Sequence, residues 1–367
     1  MNAMKTGVGS IAALRSSAAG RRSTGTGGGP EPVPPSMSVI RLPADHYLHV
    51  GAPTEWWWHT GTLKAGDRTF GFEINTAAFY PVGFTQVMLT DVDRNLHFQK
   101  TTLYFPPEFN PETWAEQDPA KDWFVKLGEV TMHAPQSDPT RHMRVTAQMV
   151  DEATNTPVAF DLLVSQQGPP FIVWGTGVVP LPPPDPTLEK NNFYYSLTRL
   201  ATSGSISIGG EKHEVTGVTW MDHEYGYFGT EKDRPQWILQ DMQLSNGVCI
   251  SNYTLDPPKL DTKTRSQATV QRADGRTYFT ETFVTPIGAT WISPATGATY
   301  FLQVKVEIPE FEATLLVSSL VDSQEFPMGE GAVYEGVAGA TGIFEGESVL
   351  GTAWSEQTMR PKSEKTE

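Results

Sequence analysis

From residue 45 onward the chain consists of short runs in which apolar and polar residues alternate, and this alternation limits the folds open to it. The runs are rich in Val, Thr, Phe, Tyr and Trp and are separated by Gly, Asn, Asp and Pro, which is typical of β-strands joined by tight turns. We expect hairpin turns at Ala65-Gly66-Asp67, Gly209-Gly210, Asn246-Gly247 and Asp274-Gly275. The pattern predicts an all-β protein of antiparallel sandwiches or barrels and disfavours a parallel α/β sheet.

The 367 residues are enough for two domains. Residues 1–40 are rich in Gly, Ser, Arg and Pro and predict a disordered tail, although their arginines leave a targeting leader open. A proline-dense segment, 180–186, is expected to stiffen the approach to a domain boundary near residue 200. We therefore expect two domains, 41–200 and 201–360, each a sandwich or a barrel. A small closed barrel can hold one apolar ligand, and two barrels packed side by side would add a cleft between them.

The overall charge and the cysteine content restrict partners and compartment. The formal net charge is −15, which argues against nucleic acid or an anionic membrane as a partner, because both attract basic surfaces. The single cysteine, Cys249, excludes an intrachain disulfide and fits a reducing compartment. No apolar run has the length of a membrane span. We expect a cytoplasmic protein without an integral membrane segment, with a lipophilic small molecule as its partner and its oligomeric state left open.

The stretch 217–226 places three ionisable residues in a row between aromatic residues. In a strand these residues divide between two faces; one face would carry Trp220, Asp222 and Glu224, and the other Met221, His223 and Tyr225. Carboxyl groups walled by aromatic rings lose water and their pKa rises, which makes a proton donor usable near neutral pH. The residues alone leave a second interpretation open, in which the acids cap backbone amides at a strand end and the histidine meets solvent.

Three further segments carry candidate site residues. Alternation puts Glu55, Trp57 and His59 on one face of a strand, as pocket groups or as a buried hydrogen-bonded pair. It also lets Glu73 line an interior. In another predicted strand it places Trp237 on one face with Leu239, Asp241 and Gln243. The paired tyrosines Tyr194 and Tyr195 are suited to orienting a substrate or relaying a proton, and equally to packing.

Several kinds of chemistry are not indicated. The sequence contains no Gly-x-Ser-x-Gly elbow, Walker loop, dinucleotide fingerprint, His-Glu-x-x-His motif or cysteine pair. A metal site combining His223 with His59 or His213 has no supporting spacing. We therefore predict that the protein uses neither a metal nor a cofactor.

Several motifs occur in a recognisable order, and together they resemble the AttH-like, lipocalin-like family. They are Glu55-Trp56-Trp57-Trp58, Tyr194-Tyr195-Ser196, Trp220-Met221-Asp222-His223-Glu224-Tyr225-Gly226 and Tyr334-Glu335-Gly336, within roughly residues 45–355. This family includes carotenoid 1,2-hydratases (hydroxyneurosporene synthases) and is related to kievitone hydratase and the fungal decalin-forming Diels–Alderases. The resemblance implies two lipocalin-like antiparallel β-barrel domains with a pocket at or near their junction.

The resemblance also implies an activity. Hydratases of the family add water to an isoprenoid double bond, and the aspartate in their Trp-x-Asp position, here Asp222, is the expected proton donor. We therefore expect a cofactor-independent carbon–oxygen lyase or cyclase that acts on a terpenoid or polyene in natural-product biosynthesis. The expected supports or relays are His223, Glu224, Glu55 and Tyr195. The expected substrate-binding residues are Trp57, His59, Glu73, Tyr194, Trp220, Tyr225 and Trp237.

Two alternatives remain open from the sequence. A pericyclase would fold a polyene and polarise it with a few hydrogen bonds, without an obligatory acid. A non-catalytic carrier would bind a lipophilic molecule and convert nothing. Trp220 stands where some carotenoid hydratases have a tyrosine, which leaves the substrate undetermined.

Overall fold

The computed structural model describes residues 30–134, 138–179, 186–228, 236–255, 259–328 and 331–359. β-Strands dominate these residues, and the helices among them are single 3₁₀ turns at Pro35–Met37, Ala44–His46, Val173–Gly175 and Pro309–Phe311. None of the helices in this part of the chain is long and apolar enough to cross a membrane. The all-β fold predicted from the sequence is confirmed.

Among the described residues the chain folds into two compact units, one of residues 34–228 and one of residues 236–359 that also includes residues 30–33. The sequence placed the boundary near residue 200, but that position lies inside a strand, Asn192–Ile208. This strand pairs on both sides within the first unit, so the chain cannot leave the unit there. The proline-dense segment that suggested the boundary lies largely outside the described residues, since 180–185 are not among them.

The first unit contains one curled antiparallel sheet of twelve strands. Its strands are β1 (Thr54–Ala65), β2 (Arg68–Phe79), β3 (Val82–Asp91), β4 (Leu96–Tyr104), β5 (Phe124–Leu127), β6 (Val130–His133), β7 (His142–Val150), β8 (Pro157–Gln166), β9 (Phe171–Ile172), β10 (Val178–Val179), β11 (Asn192–Ile208) and β12 (Glu211–Gly226). The order is β4-β3-β2-β1-β12-β11-β8-β7-β6-β5, and β9 and β10 both pair with β11. The pairing of β1 with β12 joins the beginning and the end of the unit at the centre of the sheet.

The second unit contains a closed barrel. Its strands are β13 (Trp237–Leu244), β14 (Cys249–Leu255), β15 (Thr264–Gln271), β16 (Thr277–Pro286), β17 (Thr290–Ile292), β18 (Thr299–Phe301), β19 (Gln303–Ile308), β20 (Ala313–Ser319), β21 (Glu325–Met328), β22 (Gly331–Phe344) and β23 (Glu347–Met359). The order is β20-β19-β16-β15-β14-β13-β23-β22-β21, and the additional pairing of β20 with β22 closes eight strands into a ring. β17 and β18 form a separate hairpin.

Each sheet surrounds its own apolar core, because alternate residues of every strand point to the same side. Trp57, Phe72 and Leu197 are fully buried in the core of the first unit, and Ile250 and Val306 are fully buried in that of the second. The four predicted hairpin turns are confirmed, since each connects two consecutive paired strands.

The last residues of the predicted N-terminal tail are ordered, contrary to the prediction. Residues 1–29, which carry most of its Gly and Arg, lie outside the described residues. The backbone N–H of Val39 donates to the carbonyl of Thr176 over 2.9 Å, and the Ile40 side chain is buried in the core of the first unit. The last residues of the predicted tail are therefore part of the fold, since an apolar side chain that fills a core is held by that burial.

Candidate active site

β1, β12 and β11 lie side by side at the centre of the first sheet and carry most of the predicted site residues. Trp57 is paired with His223, and Trp58 is paired with Asp222. Directly paired residues of antiparallel strands project to the same side, so these two pairs lie on opposite faces. We call the face of Trp57 and His223, which packs into the core, the inner face, and the face of Trp58 and Asp222 the outer face.

The predicted residues divide between these faces as alternation requires. The outer face carries Glu73, Tyr194, Trp220, Asp222 and Glu224. The inner face carries Glu55, Trp57, His59, Tyr195, His223 and Tyr225. Trp237 belongs to the second unit, where its indole N–H donates to Glu356 over 2.7 Å. The structure therefore divides the candidate site residues of the first unit into an outer-face group and an inner-face group.

The carboxyl group of Asp222 is the most acid-like feature of the outer face. It is buried, and its Oδ1 accepts hydrogen bonds from Ser196 Oγ at 2.5 Å and from Trp220 Nε1 at 2.7 Å. Burial raises the pKa of Asp222 to about 6, although hydrogen bonds from Ser196, Trp220 and Tyr194 oppose the rise. Among the described residues no lysine or arginine pairs with it, so a substantial fraction of this carboxyl group is neutral near pH 6.

Aromatic residues adjoin this carboxyl group, and further rings pack against them. Trp58 lies directly across from it on β1, and the Trp220 ring centroid is 5.5 Å from that of Phe171. Tyr194, on the neighbouring strand, contacts the edge of Trp174 at 5.8 Å. Aromatic faces exclude water and attract positive charge, so these rings suit a reaction in which a cation develops beside Asp222.

Glu224 is the second acid of the outer face, two residues along β12 from Asp222. It is buried, it is paired across the sheet with Trp56 and Tyr194, and its Oε1 accepts a short hydrogen bond from the Asn192 side chain. The two acids therefore line one strip of the outer face.

The inner face contains a chain of five hydrogen-bonded side chains. Glu55 Oε1 lies 2.8 Å from His49 Nδ1 and 3.0 Å from His223 Nε2. The other ring nitrogen of His223, Nδ1, lies 3.2 Å from the Tyr195 hydroxyl, which makes a short hydrogen bond to His46 Nδ1. The indole of Trp57 stacks over His223 at 4.4 Å. We call His46, Tyr195, His223, Glu55 and His49 the inner network.

The charges within the inner network follow from burial and from its ion pairs. Burial alone would lower the pKa of His49, but the Glu55 carboxylate and Asp45 raise it to about 9. Burial alone would raise the pKa of Glu55, but protonated His49 and the hydrogen bond from His223 lower it. Burial lowers the pKa of His223. Near neutral pH the network therefore holds a protonated His49, an ionised Glu55 and a neutral His223.

This charge state assigns the protons of the network. Neutral His223 donates its Nε2–H to Glu55, so its Nδ1 accepts from the Tyr195 hydroxyl, whose oxygen accepts from His46 Nδ1–H. The ligand atoms of His49, Glu55 and His223 also lie within 4.8 Å of one another, a spacing that could hold a metal ion. Each of these atoms already has a hydrogen-bond partner within the trio, so we describe them as a network that ties β1 and β12 to the residues before β1.

The remaining predicted site residues of the first unit are all buried. His59 is buried on the inner face, where burial lowers its pKa to about 3. Tyr225 is stacked between His49 at 3.5 Å and Phe193 at 5.1 Å. Glu73 is fully buried on the outer face, paired across the sheet with Thr60.

The sequence did not identify several partners of these residues. His46 and His49 lie before β1, in a segment without a strand or helix pattern, so nothing in the sequence placed them beside His223. Ser196 alternates with the quoted tyrosines, but its contact with Asp222 depends on the register of β11 against β12. The one signal available in advance was the density of histidine and acid in the segment 45–49 just before the tryptophan run.

Comparisons with known proteins agree on the family. The profile of the AttH-like family matches residues 33–356. A crystal structure of a protein of Nitrosomonas europaea described as AttH is 22% identical and aligns over 89% of this chain and 99% of its own, with a TM-score of 0.69. Kievitone hydratase of Nectria haematococca is 19% identical and aligns over 90% of this chain and 97% of its own, with a TM-score of 0.70. At these identities the two structures show a shared fold.

A curated relative was found by sequence. Dehydratase asqC of Emericella nidulans is 26% identical over 212 residues, which is 54% of this chain and 58% of that dehydratase. The match thus spans well under two thirds of the relative. The family profile, by contrast, extends through both units described above, and on that evidence the chain is a member of the AttH-like family.

Proposed function

We propose that the protein is a cofactor-independent lyase of the hydratase and dehydratase type, which adds water to a carbon–carbon double bond of an apolar substrate or removes it. The observation that carries this proposal is the buried carboxyl group of Asp222, with a pKa of about 6 and aromatic neighbours. The names of kievitone hydratase and of dehydratase asqC support the reaction class. A terpenoid or polyene, with its apolar skeleton, is the substrate class that such surroundings suit.

Asp222 is the proposed acid. Its O–H bond breaks as the proton moves to one alkene carbon, and the electron pair of the double bond forms the new C–H bond. The other carbon becomes a cation, water adds to it through oxygen, and the proton lost from that water restores the Asp222 carboxyl group. Dehydration follows the same steps in reverse. Cyclisation results when a second double bond captures the cation and the new cation loses a proton to the Asp222 carboxylate.

The other candidates support this step in different ways. The rings of Trp58 and Trp220 offer faces that stabilise the cation, and Glu224 can orient the attacking water from the same strip of the outer face. His223, Glu55 and Tyr195 are on the inner face and have their own hydrogen bonds, so we assign them the task of holding β12 in place.

The proposal is tested by proton incorporation from solvent. Wild-type protein is incubated in D₂O with a panel of isoprenoid alkenes and tertiary alcohols, and mass spectrometry follows deuterium on carbon and loss or gain of water. Asp222→Asn keeps the shape of the side chain but removes the acid, so we expect turnover to fall by at least about a thousandfold.

Asp161→Asn is the matched control, because Asp161 is a half-exposed carboxylate on the same sheet, paired with Arg144. It should leave turnover unchanged. Turnover that survives in Asp222→Asn would contradict the acid role and favour a pericyclase, and lipophilic material that binds wild-type protein but is never converted would favour a carrier.

A further inference from the structure

A pair of amides lies in the same cross-strand row as Asp222. Asp222 is paired with Trp58, Trp58 with Asn75 on β2, and Asn75 with Gln86 on β3. Directly paired residues project to the same side, so all four side chains lie on the outer face. The row continues to Thr101 on β4.

The two amides are buried without full hydrogen bonding. Asn75 is 0% exposed and Gln86 is 1% exposed. Asn75 Nδ2 donates to Gln86 Oε1 over 3.3 Å, and Asn75 Oδ1 and Gln86 Nε2 have no partner. The hydroxyl of Thr101, next in the row, also has none. Leaving a buried polar group unpaired is costly, so a protein retains such groups where something else pairs with them.

Both orientations of the two amides leave the same kinds of group unpaired. If both side chains were flipped, Gln86 would donate to Asn75, and the pair would still leave one amide NH2 group and one carbonyl oxygen without a partner. The row therefore presents a donor group and an acceptor side by side. Neither amide carries a charge, so an ionised group placed there would lack a counter-charge.

We propose that Asn75 and Gln86 bind the polar head of the substrate, a neutral group with a carbonyl oxygen next to an N–H or O–H, as in a lactam. The Gln86 N–H donates to the carbonyl oxygen, and the Asn75 oxygen accepts from the N–H or O–H of the head. This inference rests on the proposed function for the assignment of Asp222 as the reacting end.

The spacing of strands sets the distance between the two ends. Asn75 and Asp222 are separated by two strand spacings, which amounts to roughly 10 Å. Trp58 stands between them and is partly exposed. A substrate that reaches both ends therefore has a neutral hydrogen-bonding head and an apolar chain of about that length, and the chain crosses the Trp58 ring before it reaches the acid.

Binding of a matched pair of ligands tests the proposal without turnover. The probes are a 2-pyridone that carries a geranyl chain and its N-methyl derivative, which lacks the N–H donor. Isothermal titration calorimetry should show that N-methylation weakens binding to wild-type protein about tenfold, the effect of one lost hydrogen bond. In the double variant Asn75→Leu/Gln86→Met the two probes should bind equally.

Two controls separate recognition from structure. Gln148→Met changes an exposed glutamine on β7 and should keep the discrimination. The double variant without ligand should unfold at a temperature no lower than wild type, because apolar side chains of similar shape replace both unsatisfied groups. A clear loss of stability would mean that the pair is kept for packing and would overturn the proposal.

Three other results would also overturn it: equal binding of the two probes to wild-type protein, no binding of either, or discrimination that persists in the double variant. Asp222→Asn should keep the discrimination. A failure of the acid role therefore shows in turnover alone, whereas a failure of the head-group site shows in binding alone.

Discussion

Asp222 and His223 are neighbours in the chain with opposite surroundings. Asp222 lies on the outer face beside indole rings, and neutral groups donate hydrogen bonds to it, so burial still raises its pKa to about 6. His223 lies on the inner face within an ion-pair network, and burial lowers its pKa. Strand alternation alone separates a proposed acid from a structural group one residue away.

The pH dependence of activity follows from the Asp222 pKa. A proton donor must be protonated, so kcat/KM should be level below about pH 6 and fall about tenfold per pH unit above it. The profile is measured with any substrate found in the D₂O screen, at pH values where the protein remains folded. A rate that rises across this range would mean that an ionised group, acting as a base, limits the reaction.

The Glu55→Gln variant tests the inner network. It removes the buried carboxylate that pairs with His49 and leaves Asp45 as the remaining acidic partner, and breaking a buried ion pair in this way should lower the free energy of unfolding by about 3 kcal/mol at neutral pH. The free energy is measured by urea unfolding. Glu281→Gln makes the same change in an exposed pair with Arg265 and should cost less than about 1 kcal/mol. Equal, small effects would mean that the network contributes little to stability.

At the scale of elements, alternation and turn residues predicted much of the arrangement. The alternation in 217–226 separated Asp222 from His223, and the pattern of Glu55, Trp57 and His59 gave the inner-face residues of β1, as the register shows. The residues could not show which face enters the core, because both faces carry large side chains and are mostly buried. His46 and His49 could not be placed, because residues before a strand have no register.

Glycines inside two long strands lie where the neighbouring strand approaches closely. Gly204 in β11 has a φ of +145°, and a Cβ there would lie 2.1 Å from the Asp161 carbonyl oxygen. Gly342 in β22 has a φ of +155°, and a Cβ would lie 2.1 Å from the Thr314 carbonyl oxygen. Both units therefore use a glycine where two strands approach too closely for any side chain.

Gly204→Ala should lower the free energy of unfolding by more than about 2 kcal/mol, because the new methyl group meets backbone that cannot move aside. Gly210→Ala is the matched control. It also has a positive φ, +89°, but nothing lies within 4 Å of the new Cβ, so its cost should be about 1–2 kcal/mol from backbone conformation alone. Thermal and urea unfolding give both values, and equal costs would contradict a role for close strand approach.

At the scale of the whole molecule, buried histidines should shape stability against pH. Burial lowers the pKa of His46, His59, His97 and His223, to about 3 for His59 and about 4 for His97. In the unfolded chain these histidines bind protons near pH 6.5, whereas in the folded protein they bind protons only at lower pH. The contribution of these histidines to the free energy of unfolding is therefore present above about pH 6.5 and is lost as the pH falls below that value.

His49 acts in the opposite direction. Its pKa is raised from 6.5 to about 9. Its contribution to the free energy of unfolding is therefore present below about pH 6.5 and is lost as the pH rises through 9. We expect greatest stability near pH 6.5 to 7 and a steeper fall on the acid side, where several histidines act together. Urea unfolding at a series of pH values measures this, and a flat curve between about pH 5 and 7 would contradict it.

The most direct measurement is a titration of the Asp222 carboxyl group by infrared difference spectroscopy, wild type minus Asp222→Asn, with no substrate present. We expect the carbonyl band of a protonated carboxyl group, which disappears as the pH rises, with a midpoint of about pH 6. A midpoint near pH 4, the ordinary value for an exposed aspartate, would show that Asp222 is ionised under working conditions and would contradict its role as the acid.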